Sequence, residues 1–321
     1  MGLPQSRTEP PLDFESGRTS VAVAREAPAR PGLVALPGLL RPSEWILVAY
    51  ILYVGIFSAH PLGRALMLAG AASLSLLAWA ESRTGSKIFS FIRDWIPSPF
   101  ILVAYWAVDW YPYPARDFAL ENAWIHLDRR ILNDWGAKAA IEFAGPVLPF
   151  LLEFCYSLLY AVPPVSIGLL YLYRRRDRVD RFVFVLMLGV LSTYALLPYS
   201  PSISPREFFP KEDLPAWITP FRLLNLWLLD HYDIHASVFP SGHVTVGYSA
   251  AFAMLLAFPE KRKVGWIMLA IANGVAVATV YGRYHYVVDT LAGLGVSLLT
   301  CIVSVWLHPA LSRSASWWRK P

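Results

Sequence analysis

Two residues near the C-terminal end of the chain have the types and the spacing of a nucleophile and its orienting partner. His285 and Asp289 are four positions apart, so on a helix they share one face and the carboxylate can accept a proton from one imidazole nitrogen. The other nitrogen is then held as a free lone pair. A histidine in this state can attack phosphorus, and the neighbouring carboxylate stabilises the imidazolium that forms.

A second set of candidates, Ser241, Gly242 and His243, stands immediately before an apolar helix. The unpaired N–H groups and the positive dipole end of a helix start favour a phosphate, and glycine permits its close approach. His243 is placed to donate a proton to a departing alkoxide. Together the two sets predict chemistry on a phosphate ester.

A His–Asp pair at this spacing is, taken alone, most often an ordinary structural hydrogen bond. The position of both sets beside apolar helices favours the functional interpretation, because ionisable groups near the end of a transmembrane helix are costly unless they serve a site. The helices that carry these residues therefore decide between a structural hydrogen bond and a functional site.

The composition is that of an integral membrane protein. Of 321 residues, 56% are hydrophobic and 16% are charged, which excludes a soluble globule, a disordered chain and a collagen-like chain. Cys155 and Cys301 lie inside apolar runs, so we interpret them as small buried hydrophobes rather than a disulfide. The formal charge of +5 fits Lys and Arg in cytoplasmic loops better than nucleic-acid binding.

Apolar stretches begin after residue 42 and occupy most of the remaining chain. They lie at about 45–59, 64–80, 96–112, 147–173, 182–198, 241–259, 264–282 and 286–307. Several are shorter than the roughly 20 residues that cross a hydrocarbon core. The prediction is an all-α polytopic transmembrane helix bundle of about six to eight spans, with a kink at Pro163 and Pro164 and an amphipathic interfacial helix on the outer face within 113–146.

Three regions follow from this pattern. Residues 1–42 are predicted to be a disordered cytoplasmic tail, 43–308 a membrane-embedded catalytic domain, and 309–321 a short basic and aromatic tail. The basic runs 174–181 and 261–263 predict cytoplasmic loops. The segment 199–240 and the turn at 282–285 then share the extracytoplasmic face of a cell membrane, and both termini are cytoplasmic.

The two sets of candidate residues also resemble a known family. Pro240-Ser241-Gly242-His243 and His285-Tyr286-Val287-Val288-Asp289 are similar to the second and third signatures of the type-2 phosphatidic acid phosphatase superfamily, whose members are membrane phosphatases and phosphotransferases. The resemblance implies that His285 is the nucleophile, that Asp289 orients it and that His243 protonates the leaving group. It implies no metal and no other cofactor.

The departures from that family concern phosphate binding. A Ser-Arg pair usually precedes the nucleophilic histidine, and the chain has Ala278 and Thr279 there. The segment from Pro201 to Arg206 resembles a Pro-rich segment of the inositol phosphorylceramide synthase branch, as do Ile92–Pro97 and Leu127–Asp128. Gly242, by contrast, is the residue usual in the phosphatases. Arg206 and Arg283 are the candidates for binding the phosphoryl oxygens, because a planar guanidinium can bind two at once.

A rival constellation, Asp230, His231, Asp233 and His235, has metal-ligating side chains within six residues. Alternate residues of a loop seldom converge on an ion without further ligands, so a polar loop near lipid headgroups is the favoured interpretation. Tyr156 and Tyr160, one turn apart, are predicted to pack in the core, with a lipid groove as the alternative.

The leading hypothesis is a membrane phosphotransferase that acts on a phospholipid or sphingolipid headgroup through a histidine-linked intermediate. A lipid phosphatase, for phosphatidate or a polyprenyl phosphate, differs only in what resolves the intermediate, water rather than an acceptor hydroxyl. A transporter or lipid-binding scaffold is the non-enzymatic alternative, and it predicts charged residues in mid-membrane. The expected partners are the lipid substrate and the bilayer, with no nucleic acid.

Overall fold

The computed structural model describes Gly2 and residues 36–115 and 118–317, with side chains described at Gly2, 38–115 and 118–312. Within these residues every regular element is a helix, which confirms the all-α prediction. In chain order the α-helices are α1 (Leu36–Leu39), α2 (Pro42–Phe57), α3 (Pro61–Thr84), α4 (Lys87–Trp95), α5 (Pro97–Trp106), α6 (Ala119–Arg129), α7 (Ala137–Glu142), α8 (Val147–Leu158), α9 (Val162–Leu172), α10 (Val179–Leu196), α11 (Pro205–Phe208), α12 (Pro220–Tyr232), α13 (Gly242–Ala257), α14 (Arg262–Tyr281) and α15 (Val287–Trp317).

Short tighter or wider helical turns join several of these helices. The 3₁₀ segments are Ala107–Trp110, Leu159–Ala161, Arg176–Arg178, Leu197–Tyr199 and Pro259–Lys261, and a π-helical turn covers Arg130–Asp134. The turn at Leu159–Ala161 lies just before Pro163 and Pro164, where the missing proline N–H groups interrupt the α-helical ladder. A 3₁₀ turn therefore interrupts the fourth apolar stretch beside the prolines at which the kink is predicted.

Five helical segments in the described part of the chain are long and apolar enough to cross a membrane. They are Pro61–Thr84, Val147–Leu172, Arg176–Tyr199, Pro259–Tyr281 and Val287–Ser312. The helices Pro42–Phe57 and Gly242–Ala257 are apolar but only 16 residues long. With these two, the number of apolar helices lies within the predicted six to eight, and the protein is a polytopic membrane bundle.

The bundle begins slightly before the predicted boundary at residue 43. Helix α1 and the first residue of α2 fall within the region predicted as a disordered tail, and the Arg41 guanidinium there binds the Asp94 carboxylate at 2.5 Å. Met1 and residues 3–35 of that predicted tail, and residues 318–321, lie outside the described residues.

Small residues let the central helices approach closely. A Cβ added to Gly189 of α10 would lie 2.1 Å from the Ser249 Oγ of α13, and one added to Gly293 of α15 would lie 2.7 Å from the Ser241 carbonyl oxygen. Packing of small residues is the usual way to bring membrane helices together. Here it brings the start of α13 against the first turns of α15.

Helix α13 separates two chemically different ends of the bundle. It begins beside His243 and ends at Ala257, about 24 Å away at 1.5 Å per residue. At that far end Arg175 forms an ion pair with Glu260, which joins the two predicted basic loops. The basic loops and the candidate catalytic residues are thus at opposite ends.

Candidate active site

His285 and Asp289 approach each other where α15 begins. His285 lies in the turn between α14 and α15, and its Nδ1 is 3.4 Å from the Asp289 Oδ2 in the first turn of α15. That oxygen also accepts a hydrogen bond of 2.9 Å from the Tyr286 N–H. The imidazole is 8% exposed and the carboxylate is fully buried. A contact of 3.4 Å is longer than a good hydrogen bond, as catalytic contacts commonly are without substrate.

His243 comes from the other set and meets His285 directly. The His285 Nε2 and the His243 Nδ1 are 3.4 Å apart. The opposite nitrogen of His243, Nε2, lies 3.3 Å from the Tyr160 hydroxyl, and the Tyr156 ring stacks on the imidazole with centroids 4.8 Å apart. Tyr156 is fully buried in the core, as predicted, whereas Tyr160 is exposed and lines an apolar groove, the predicted alternative; both contact a candidate catalytic residue.

The contacts assign one consistent set of protons. If the Asp289 carboxylate accepts from His285 Nδ1, the His285 Nε2 carries a lone pair. His243 Nδ1 then carries the proton that lies between the two rings, and the Tyr160 hydroxyl donates to His243 Nε2. Hydrogens are assigned here from the heavy-atom contacts. The lone pair of His285 is the one needed for attack on phosphorus.

Ser241 and Gly242 build the start of α13. The Ser241 side chain accepts from the Val244 N–H at 3.3 Å as an N-cap, and its backbone N–H donates to the Asp289 carbonyl at 3.1 Å. A Cβ on Gly242 would lie 3.1 Å from the Tyr194 ring. These contacts tie the two signatures together and give Gly242 a packing reason, while the helix start remains oriented for an anion.

Hydrogen bonds connect the segment that carries Arg206 to the turn that carries Arg283. The Arg206 N–H donates to the Arg283 carbonyl at 3.0 Å, and the Arg283 guanidinium donates to the Pro205 carbonyl at 2.9 Å. The Arg206 side chain binds Asp230 at 2.7 Å and approaches Asp233 at 3.4 Å. Arg283 has a positive φ of 64°, and its guanidinium lies 3.8 Å from the Asp213 carboxylate.

The pKa values of the two arginines are shifted in opposite directions. Burial lowers the pKa of Arg206, but the hydrogen bond to Asp230 and the nearby carboxylates raise the pKa above its usual value overall. Burial is the largest influence on Arg283 and lowers the pKa of that guanidinium. Both side chains remain cationic at neutral pH, because an arginine guanidinium is not deprotonated in proteins.

The two imidazoles line a small polar cavity of about 10 Å³, room for roughly one water molecule. Asp233, Ser237 and Tyr105 also line it. A much larger apolar groove of about 980 Å³ adjoins this cavity and shares His243 and Asp233 with it. The groove runs between α4, α5, α8, α9 and α12, and its wall is made largely of aromatic and aliphatic side chains.

A buried ionic network behind the turn was not predicted from the sequence. The Glu153 Oε1 binds the Arg222 guanidinium at 2.9 Å, and its Oε2 accepts from the Tyr284 hydroxyl at 2.7 Å and from the Asn225 amide at 2.8 Å. Arg222 also donates to the Gly282 carbonyl at 3.3 Å. The only sequence signal was a carboxylate in an apolar helix, at Glu153.

The rival metal constellation is spread over different partners. Asp230 and Asp233 face Arg206, His231 Nδ1 contacts the Trp227 carbonyl at 2.8 Å, and the His235 N–H donates to Asp109 at 2.9 Å. In residues 36–115 and 118–317 no group of three or more His, Cys, Asp or Glu has a metal-binding arrangement. Asp230 and His231 lie in the last turn of α12, and only Asp233 and His235 lie in the loop that was predicted for all four.

Comparisons with known proteins give evidence about the family of this chain that does not depend on the site geometry. A family model described as the PAP2 superfamily matches residues 122–303, more than half of the chain. A bacitracin transport permease protein BcrC of Bacillus licheniformis is 25% identical over 183 residues, which are 57% of this chain and 80% of that protein. A PA-phosphatase related-family protein of Dictyostelium discoideum is 32% identical over 72 residues, 22% of this chain and 12% of that protein. No solved structure matches the chain.

Proposed function

Because the chain belongs to the PAP2 superfamily, we propose that it is a membrane enzyme that removes phosphate from a lipid through a phosphohistidine on His285. The observation that carries the proposal is the contact series Asp289–His285–His243 beside an apolar groove that His243 helps to line. A lipid with a phosphate headgroup fits this combination of a polar end and an apolar wall.

The first half-reaction forms a bond between His285 Nε2 and phosphorus and breaks the bond between phosphorus and the lipid oxygen. The Asp289 carboxylate stabilises the positive charge that develops on His285. Binding of a phosphate dianion favours protonated His243, whose Nδ1 gives its proton to the leaving oxygen while Nε2 donates to the Tyr160 hydroxyl. The products are the free lipid alcohol and phosphohistidine.

The second half-reaction breaks the phosphorus–nitrogen bond. His243, now neutral, takes a proton from a water molecule as the water oxygen attacks phosphorus, and inorganic phosphate leaves with His285 restored. The cavity that both imidazoles line has room for about one water molecule. Arg206 is our candidate for binding the phosphoryl oxygens, with its guanidinium shared in the resting protein by Asp230 and Asp233.

The name of the Dictyostelium relative, a PA-phosphatase related-family protein, supports hydrolysis of a lipid phosphate. The name of the Bacillus relative is that of a transport permease and corresponds to the non-enzymatic alternative. Two imidazoles in contact at a cavity of one-water size support chemistry at that point better than passage of a solute. The separation of the site from the basic loops by the length of α13 supports an extracytoplasmic active site.

A phosphotransferase of the inositol phosphorylceramide synthase type is the second candidate. Its support is the volume of the groove, about 980 Å³, which is large enough to admit an acceptor lipid alcohol beside a substrate chain. The PAP2 superfamily match and the names of the two relatives do not extend to that branch. Transfer would replace the water of the second half-reaction by the acceptor hydroxyl.

The test measures phosphate release from phosphatidic acid and from a polyprenyl phosphate by purified protein in mixed micelles. We expect His285→Ala to abolish release and His231→Ala, a change of an exposed histidine outside the site, to leave it intact. Incubation with ³²P-labelled substrate and quenching in base should label the wild type on His285. Release by His285→Ala at the wild-type rate would overturn the proposal.

Addition of an acceptor lipid alcohol separates the two candidates. Free phosphate as the main product supports the phosphatase, whereas label transferred to the acceptor in preference to water supports the transferase. Counterflow of a labelled solute in vesicles, unchanged by His285→Ala and without phosphate release, would instead support transport.

A further inference from the structure

One face of helix α6 lies against every segment that carries a candidate catalytic group. Glu121, Trp124, Ile125 and Asp128 share that face, at spacings of three, four and seven residues. Glu121, Ile125 and Asp128 are buried, at 1%, 4% and 3% exposure. A helix lying on a membrane interface ordinarily buries apolar residues, so two buried carboxylates on this face need a reason.

Glu121 holds the segment that leads to Arg206. Its Oε1 accepts a hydrogen bond of 2.9 Å from the Ile203 N–H, three residues before Arg206. The segment from Pro201 to Ser204 is not helical, so the Ile203 N–H has no intrahelical acceptor, and Glu121 supplies one. Glu121 therefore fixes the position at which the arginine-bearing segment passes the site.

Asp128 holds the segment that carries His285. Its Oδ1 accepts a hydrogen bond of 2.9 Å from the N–H of Val287, the first residue of α15. A carboxylate at a helix start satisfies an N–H group that has no intrahelical acceptor and complements the helix dipole. Since Val287 is two residues after His285, this bond fixes the end of the turn that presents the imidazole.

Trp124 touches the remaining segment. Its ring stacks on Phe239 with centroids 5.3 Å apart and an interplanar angle of 26°, and it packs on Tyr286 at 5.6 Å. Phe239 is four residues before His243. The three side chains thus reach the segments of Arg206, His243 and His285 from a single helix.

The surroundings of Asp128 show that its carboxyl is not there for charge balance alone. Burial, which is the dominant cause, and the nearby Asp289 and Asp213 carboxylates raise the pKa of Asp128 to about 7, against the hydrogen bond from Val287 and the charge of Arg283. Burying a carboxyl group costs free energy unless the group is hydrogen-bonded. The hydrogen bond from the Val287 N–H offsets part of this cost and gives the carboxyl a structural role.

We propose that α6 is a positioning element, and that Glu121 and Asp128 set the mutual register of the arginine-bearing segment and the nucleophile turn. The inference rests on the proposed function of His285, because it concerns the rate of that reaction. In the described residues no hydrogen bond joins Glu121 or Asp128 to either imidazole, so in this proposal they act through Ile203 and Val287.

The test compares removal of each acceptor with its conservative replacement. In Glu121→Ala and Asp128→Ala we expect kcat to fall about 10- to 100-fold with KM within about threefold, since misplacement by about an ångström has that effect on rate. Glu121→Gln and Asp128→Asn keep an acceptor oxygen and should restore kcat to within about threefold of wild type. Asp134→Ala, an exposed acid in the same region, is the matched control and should leave kcat unchanged.

Loss of fold is separated from loss of position by two measurements. The fraction of each preparation that can be labelled on His285 normalises kcat to folded protein. Trp124→Leu, which removes a ring contact without leaving an unpaired backbone group, should also lower the normalised kcat. Normalised kcat values equal to wild type in both alanine variants, with active wild type, would overturn this inference alone. Inactive wild type would overturn the proposed function and this inference with it.

Discussion

The Asp289→Asn substitution is the sharpest test of the nucleophile assignment, because the amide has almost the shape of the carboxylate. The amide oxygen can keep the hydrogen bond from the Tyr286 N–H, now 2.9 Å long. The same atom faces His285 Nδ1, so the amide oxygen also keeps that contact, and the NH₂ group takes the place of Oδ1, which has no hydrogen-bond partner among the described residues. The variant should therefore fold and keep the tautomer of His285, but it lacks the negative charge that stabilises the imidazolium formed on attack.

The size of the effect follows from the contact distance. Two opposite unit charges 3.4 Å apart attract by about 5 kcal/mol at an effective dielectric constant of about 20. The amide dipole retains part of this stabilisation of the imidazolium, which leaves a loss of about 4 kcal/mol in the transition state. Because about 1.4 kcal/mol corresponds to a factor of ten, kcat should fall about a thousandfold.

Single-turnover release of phosphate from labelled lipid phosphate measures this loss directly. The matched control is Asp109→Asn, since the Asp109 carboxylate lies at the same 3.4 Å from the Nδ1 of His235, away from the two candidate imidazoles. We expect the control to retain activity within about twofold and both variants to unfold at temperatures near that of the wild type. A kcat of Asp289→Asn within about threefold of wild type would refute the role of the carboxylate.

Four further outcomes are expected. His243→Ala should slow release from an alkyl phosphate lipid far more than from a nitrophenyl phosphate, whose leaving group needs no proton; equal slowing would exclude general acid catalysis by this residue. The folded-state pKa of Asp128 is raised to about 7, so the folded protein binds this proton more tightly than the unfolded chain. The protonated carboxyl therefore contributes to the free energy of unfolding, fully below pH 4 and progressively less as the pH rises to 7. This contribution amounts to about 4 kcal/mol, and Asp128→Asn should flatten that decline in thermal unfolding. Arg222→Met should lower the free energy of unfolding by about 3 kcal/mol or more, because Glu153 is then left buried without its cation, and adding Glu153→Gln should recover at least half of the loss in chemical denaturation. Arg206→Lys should lower kcat/KM by about tenfold in steady-state assays, because an ammonium lacks the planar fork that binds two phosphoryl oxygens; an unchanged kcat/KM would leave phosphate binding to other groups.

The convergence of the two histidines could be predicted because it depends on topology more than on local geometry. Apolar stretches and basic loops place His243 and His285 at the same membrane face, and two helix starts at one face are natural neighbours in a small bundle. The contact between His285 and Asp289 forms in a way that differs from the prediction. His285 precedes α15 instead of sharing a helix with Asp289, and the carboxylate reaches back from the first turn.

The partners of these residues could not be predicted, because they come from pairings distant in sequence. Glu153 and Arg222 are separated by 69 positions and bind each other only because α8 packs on α12. Tyr156 stacks on His243 for a similar reason, and a tyrosine in an apolar helix carries no signal that separates a site from a core. The amphipathic helix was predicted, but its buried face holds carboxylates where periodicity favours apolar side chains.

The absence of the usual arginine before the nucleophile has a structural explanation at Thr279. The Thr279 carbonyl accepts from both the Tyr284 and the His285 N–H groups, at 2.9 and 3.0 Å, and its hydroxyl lies 3.1 Å from that of Thr290. The residue is fully buried, so a guanidinium at this position would have to enter the packing between α14 and α15. The turn is thus held by a backbone acceptor and a small side chain. In the proposed mechanism the phosphate-binding charge comes from another segment, at Arg206, whose own N–H binds the Arg283 carbonyl in the same turn and so couples the position of the cation to that of the proposed nucleophile.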